Sequence, residues 1–107
     1  MRSGILLVVV AGLMSTSAVA DSLKSMTLAT ELGSVIAAER ACGLAYDQAA
    51  ISAFIEAKVP ASDMGFPSTL NMMVKGSEVQ LEEMSPSAKT AHCTQVRRVA
   101  KSYGFAK

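Results

Sequence analysis

Cys42 and Cys93 are the only cysteines in this chain of 107 residues, and they stand 51 positions apart. A disulfide between them would constrain the fold more than any other sequence feature. In the chain-entropy model, closing a loop of that length stabilises a domain by roughly 4 kcal/mol. Disulfides persist mainly in oxidising compartments outside the cytosol. The first question is therefore whether the chain is exported.

The N-terminus has the three-part build of a secretory signal peptide. Arg2 is followed by an uninterrupted apolar run over residues 5–14, and then by small residues that end in Ala18-Val19-Ala20. The run is about half the length of a membrane-spanning helix, and no cysteine stands at the cleavage point, as a lipoprotein would require. We predict cleavage after Ala20, leaving residues 21–107 as a single periplasmic or secreted domain. An uncleaved amphipathic or core helix is the alternative.

An even number of cysteines in an exported chain predicts a disulfide, here Cys42–Cys93. The chain after residue 20 has only five aromatic residues, and so small a core gains from a covalent bond. Free or metal-binding thiols are the alternative. The sequence has no CxxC pair to favour it.

Helical spacing fits the rest of the chain better than the alternation of a strand, and predicts an all-α bundle of three to four helices. We expect a first helix from Leu23 to Tyr46 with Gly33 as a candidate break. A second helix is capped by Asp47 and ended by Pro60. The predicted inward residues of these two are Leu28, Leu32, Val35, Cys42, Tyr46, Ile51, Phe54 and Ile55.

Residues 60–67 read as a connecting loop, since they contain two prolines and a glycine. Ser68 is the expected cap of a third helix, which Gly76 would interrupt. Ser85-Pro86-Ser87 begins a last helix, because proline is tolerated in a first turn. The predicted inward residues of these two are Leu70, Met73, Val74, Leu81, Met84, Cys93, Val96, Ala100 and Tyr103.

Residues 21–107 carry nine basic and nine acidic residues, so overall charge predicts no nucleic-acid or membrane partner. The distribution is uneven, because residues 88–107 hold five bases and no acid. Arg97, Arg98 and Lys101 are therefore a candidate surface for a partner. In the alternative, these bases are solvated or pair loosely with the acids of the preceding helices.

Nothing in the sequence points to an enzyme, a metal site or a cofactor. His92 is the only histidine, and nucleophilic catalysis needs a base and an orienting group beside a free nucleophile. Five methionines follow residue 20, but they lack the clustering of a soft-metal site, so we interpret them as core filling.

Glu39 lies one turn from the predicted disulfide, and His92 adjoins the other half of it. If the disulfide forms, these two side chains could meet at the rim of the core. Protonating the carboxylate would then weaken the pair. The sequence thus raises the hypothesis of a pH-responsive contact.

A cleaved signal, a short helical chain and the long-range pair Cys42 and Cys93 resemble the HdeA-type acid-stress chaperones of the periplasm. The chain has Ala41 where that family has a tryptophan before its first cysteine. The segment from Arg40 to Tyr46 also resembles small exported bacterial proteins with one disulfide. The resemblance implies a chaperone-like module that binds other envelope proteins under stress. The alternative is a structural or inhibitory envelope protein with one fixed partner.

Overall fold

The computed structural model describes the backbone of residues 11–107 and the side chains of residues 22–107. These residues form four helices and no strand, which confirms the all-α class. The helices are α1 (Ala11–Ala41), α2 (Gln48–Lys58), α3 (Phe66–Glu83) and α4 (Pro86–Ser102). The first ten residues of the predicted signal peptide lie outside the described residues. The predicted cleavage after Ala20 falls within α1 and stays a prediction.

Helices α1 and α3 run side by side in the same direction and form the main contact of the fold. Near its middle, α1 is joined to the loop before α3, where Ser25 Oγ donates to Asp63 Oδ2 at 2.7 Å. Two turns further on, Gly33 is buried against Met73 of α3. The predicted break at Gly33 is wrong, because the glycine sits where α3 packs closely against α1 and the helix continues through it.

Helix α3 is also continuous, so the predicted interruption at Gly76 is wrong. Gly76 is exposed. Like any glycine inside a helix, it lowers the stability of the helix by about 1 kcal/mol relative to alanine, which is too little to break it. The helix begins at Phe66, earlier than predicted, with Pro67 in its first turn. Ser68 therefore lies inside the helix, and Gly65 occupies the cap position.

Asp47 and Ser85 begin their helices as predicted. The Asp47 carboxylate accepts the backbone N–H of Ala49 at 2.9 Å. Ser85 Oγ accepts that of Ala88 at 3.2 Å. Each side chain satisfies an N–H that has no partner within its own helix. Helix α2 ends just ahead of Pro60, also as predicted.

Helix α1 ends at Ala41, so the predicted continuation to Tyr46 is wrong. Gly43 has a φ of +66°, a left-handed conformation that glycine adopts without a steric penalty. The backbone N–H of Leu44 then donates to the carbonyl of Glu39 at 2.8 Å. This is the Schellman arrangement that commonly closes a helix. It turns the chain back toward α1.

Helix α4 ends in the same type of turn. Gly104 has a φ of +81°, and the Phe105 N–H donates to the carbonyl of Ala100 at 2.9 Å. The turn carries Phe105 inward, where it is one of the two largest fully buried side chains, with Leu32.

The core lies where α1, α3, α4 and the turns after α1 and α4 meet, and α2 covers it with half-buried residues only. The centroid of the Phe54 ring on α2 lies 4.9 Å from the ring centroid of Tyr103 and 5.5 Å from that of Phe105. The predicted inward residues that are buried are Leu32, Val35, Tyr46, Leu81, Val96 and Ala100. Those that are half-buried are Leu28, Cys42, Ile51, Phe54, Ile55, Leu70, Met73, Val74, Met84, Cys93 and Tyr103.

Candidate functional site

Cys42 and Cys93 form the predicted disulfide, with their α-carbons 5.5 Å apart. Cys42 directly follows the last residue of α1, and Cys93 lies near the middle of α4. The bond therefore ties the end of the first helix to the last one.

A groove of about 520 Å³ lies beside this disulfide, between the end of α1 and helix α4. Lys89 and Arg97 bring two positive charges to it, and Thr90 and Thr94 bring two hydroxyls. Its other lining residues are Ala41, Cys42, Pro86 and Cys93, so no carboxylate contributes to its wall. We call this the α4 groove. Its charge suits an anionic group.

A second groove of about 510 Å³ lies between α1 and α3 and has a different charge pattern. Arg40 and Lys75 line it together with the carboxylates of Glu39 and Glu78. We call this the α3 groove. Because both signs of charge are present in nearly the same volume, it offers a natural control for the α4 groove.

The three residues of the predicted basic surface do not all line the same groove. Arg97, Arg98 and Lys101 are all exposed on α4, but only Arg97 lines the α4 groove. Arg98 instead donates to Gln95 Oε1 on the same helix at 3.3 Å. Lys89, which belongs to the same basic segment over residues 88–107, also lines the groove, two turns before Arg97 on the same helix.

Glu39 binds the segment that follows α1. Its Oε2 accepts the backbone N–H of Tyr46 at 2.8 Å. The Tyr46 hydroxyl in turn donates to the carbonyl of Val35 at 2.8 Å. Burial raises the pKa of Tyr46 to about 12, and the negative charge of Glu39 acts in the same direction. Tyr46 is thus held against α1 at both its backbone and its side chain.

The structure does not join Glu39 to His92 by a hydrogen bond. The Nε2 atom of His92 is buried and has no hydrogen-bond partner in the described part of the chain. Glu39 has a different partner because the turn at Gly43 returns Tyr46 to the carboxylate. A pH-responsive contact between Glu39 and His92 remains a hypothesis.

Several large apolar side chains point to solvent. Met64 is 82 % exposed and Met72 is 66 % exposed. The others are Leu23, Met26 and Val79. Together these five are the exposed apolar set. The interpretation of the methionines as core filling is therefore wrong for Met26, Met64 and Met72.

Within residues 11–107, no helix has both the length and the apolar character needed to cross a bilayer. The same stretch gathers no group of three His, Cys, Asp or Glu side chains that could hold a metal ion. Comparisons with protein-family models, with curated proteins and with solved structures found no match.

Proposed function

We propose that this chain is an exported helical protein that acts by binding other proteins, as a stress-responsive or chaperone-like module, and not by catalysis. The observation that carries the proposal is the exposed apolar set. Three of its five members are methionines, whose flexible, polarisable side chains adapt to varied partners.

The positions of these residues support binding rather than chance exposure. The hydrogen bond between Ser25 and Asp63 brings the segments that carry Met26 and Met64 together. Met72 and Val79 are seven residues apart on α3, so they share one face of that helix. Apolar side chains grouped in this way commonly mark protein interaction sites.

The disulfide supports export, because such bonds are rare in reducing compartments. Export is tested on protein recovered from the native envelope. We expect the N-terminal residue to be Asp21 and an alkylating reagent to find no free thiol before reduction. A product that begins at Met1 with two reactive thiols would contradict this part of the proposal.

The binding function is tested by suppression of the aggregation of an unfolded client protein. It is measured near neutrality and at a pH below about 4, where carboxylates become protonated. The test variant carries Met26→Gln, Met64→Gln and Met72→Gln. The matched control carries Ala53→Gln, Ala57→Gln and Ala91→Gln at exposed positions, so it gains the same amides without losing large apolar groups.

We expect the parent and the control to suppress aggregation, and the methionine variant to lose most of this effect. Equal suppression by all three proteins would contradict a role for the exposed apolar set. Greater binding of an apolar dye on acidification would support stress-dependent exposure.

The competing candidate is a structural or inhibitory envelope protein with a single fixed partner. The observation that favours it is the α4 groove, whose two walls are joined by a covalent bond. Recovery of one stoichiometric partner from the native envelope, without suppression of client aggregation, would favour this candidate.

A further inference from the structure

The α4 groove differs from the α3 groove in its charge. Lys89 and Arg97 line it, and no carboxylate does. The α3 groove, of nearly the same volume, contains Glu39 and Glu78 beside its two bases. A ligand entering the α4 groove therefore meets positive charge that no acid in the same wall offsets.

The sequence around the groove adds to this charge. Glu83 is the last acidic residue, and every charged residue after it is basic. Exposed charges act on one another over roughly 8 Å at physiological ionic strength. Lys89 and Arg97 are eight residues apart on α4, about 12 Å along the helix axis, so an anion that lies between them is within reach of both.

The groove also offers hydrogen bonds. The Thr94 hydroxyl donates to the carbonyl of Thr90 at 2.8 Å, which leaves its oxygen free to accept from a ligand amide. The disulfide fixes the end of α1 against α4. The backbone of the two walls therefore needs little reordering on binding, and this reduces that part of the entropic cost of association.

We propose that the α4 groove binds an acidic, extended segment of a partner protein, whose carboxylates lie at Lys89 and Arg97 and whose backbone amides face Thr94. This surface is distinct from the exposed apolar set. Either proposal can therefore fail without the other.

A polypeptide fits this groove better than an anionic membrane does. Proteins that rest on a membrane combine bases with exposed apolar side chains that enter the lipid. None of the exposed large apolar residues of the described chain lies on α4.

The test uses the oxidised chain as recovered from the envelope and a short, capped oligoglutamate peptide with a fluorescent label. Affinity is measured by fluorescence anisotropy at several salt concentrations. The test variant is Lys89→Gln with Arg97→Gln. The matched control is Arg40→Gln with Lys75→Gln, which removes one lysine and one arginine from the α3 groove instead.

We expect the parent to bind the peptide with an affinity that falls as salt is added. The Lys89 and Arg97 variant should bind about tenfold more weakly, whereas the control should change by less than about twofold. A charge-preserving variant, Lys89→Arg with Arg97→Lys, should bind as the parent does. It separates loss of charge from loss of fold.

An equal loss in the test variant and the α3-groove control would overturn the proposal, because binding would then depend only on net charge. Failure of the parent to bind the peptide would also overturn it. So would binding to phosphatidylglycerol vesicles in place of the peptide with the same dependence on Lys89 and Arg97, which would assign the surface to a membrane.

Discussion

Gly33 on α1 lies so close to Met73 on α3 that the contact leaves no room for a side chain at residue 33. A β-carbon there would lie 2.7 Å from Met73 Cβ and 3.2 Å from the Met73 backbone carbon. Because backbone atoms of α3 cannot rotate away as the end of a side chain can, the helices would have to separate. This contact sets the spacing between the two helices that pack most extensively.

We expect Gly33→Ala to lower the free energy of unfolding by up to about 2 kcal/mol, because overpacking that forces backbone shifts costs about 1–3 kcal/mol. The measurement is urea unfolding followed by circular dichroism. The gain in helix propensity from alanine acts in the opposite direction and is smaller, at about 1 kcal/mol.

Gly76→Ala is the matched control on α3. A β-carbon there would meet nothing within 4 Å, so only the helix propensity and the entropy of the unfolded chain change. We expect a stabilisation of about 0.5–1 kcal/mol in the same assay. If both variants were stabilised equally, the close contact between α1 and α3 would be disproved.

The disulfide should be a major part of the stability of this domain. We expect Cys42→Ser with Cys93→Ser to lower the free energy of unfolding by about 4 kcal/mol in the chain-entropy model. Adding a reductant should destabilise the parent by a similar amount and leave the variant unchanged. Parent protein whose unfolding midpoint is insensitive to complete reduction would contradict this expectation.

Tyr46 should make the free energy of unfolding fall as the pH becomes alkaline. Its pKa is raised from 10.0 to about 12 in the native state, mainly by burial. The native protein thus keeps a proton that the unfolded chain releases near pH 10. The contribution of Tyr46 to the free energy of unfolding is fully present below pH 10 and is lost as the pH rises to about 12.

The change to test is Tyr46→Phe. The chain has two tyrosines and no tryptophan, so tyrosinate absorbance can be followed without interference from tryptophan. The component with a midpoint near pH 12 should disappear in the variant. Loss of the hydrogen bond to Val35 should also cost about 1 kcal/mol at neutral pH. A titration unchanged by the substitution would contradict the assignment.

Glu39 should act through the backbone of Tyr46. Glu39→Gln keeps an oxygen that can accept the Tyr46 N–H, so we expect a loss below about 1 kcal/mol. Glu39→Ala leaves that N–H without this partner and should cost about 1–3 kcal/mol. Glu39→Gln should also move the pKa of Tyr46 down from about 12, but not fully to 10.0, because burial is the larger cause. Equal stability of the two variants would mean that the hydrogen bond contributes nothing.

His92 carries a buried nitrogen that has no hydrogen-bond partner in the described residues. Replacing it with an apolar side chain removes the cost of burying that atom. We expect His92→Leu to stabilise the protein by about 1 kcal/mol. Ser87→Leu, at an exposed position of the same helix, serves as the control and should stay within about 0.5 kcal/mol of the parent. A large destabilisation by His92→Leu would show that the imidazole has a bonding role.

Local signals predicted the starts of two helices well. Asp47 and Ser85 cap their helices as expected, because capping depends on a side chain and backbone groups only two or three residues away. The glycines were harder to interpret. Gly33 and Gly76 lie inside continuous helices, whereas Gly43 ends one, and the difference depends on what surrounds each residue in the folded chain.

The methionines show the same limit at the candidate sites. Met73 packs against α1, while its neighbour Met72 is exposed. Helical spacing separates them, since it predicted Met73 and not Met72 as inward. Residue type, which led us to interpret all five methionines as core filling, does not. Lys89 and Arg97 were predicted to belong to one basic segment, but the groove that they share was not predicted, because its other wall lies at the end of α1.

By itself, the sequence determined the all-α class, two helix caps and the identity of the disulfide partners. These follow from spacing, from short-range hydrogen bonding and from the presence of only two cysteines. The tertiary structure alone decided that Glu39 binds Tyr46, that the α4 groove has no acid in its wall, and that three methionines face solvent. The Glu39 contact depends on the turn at Gly43 that follows α1. The other two features depend on how separate helices and loops approach one another, which residue spacing along a single helix does not encode.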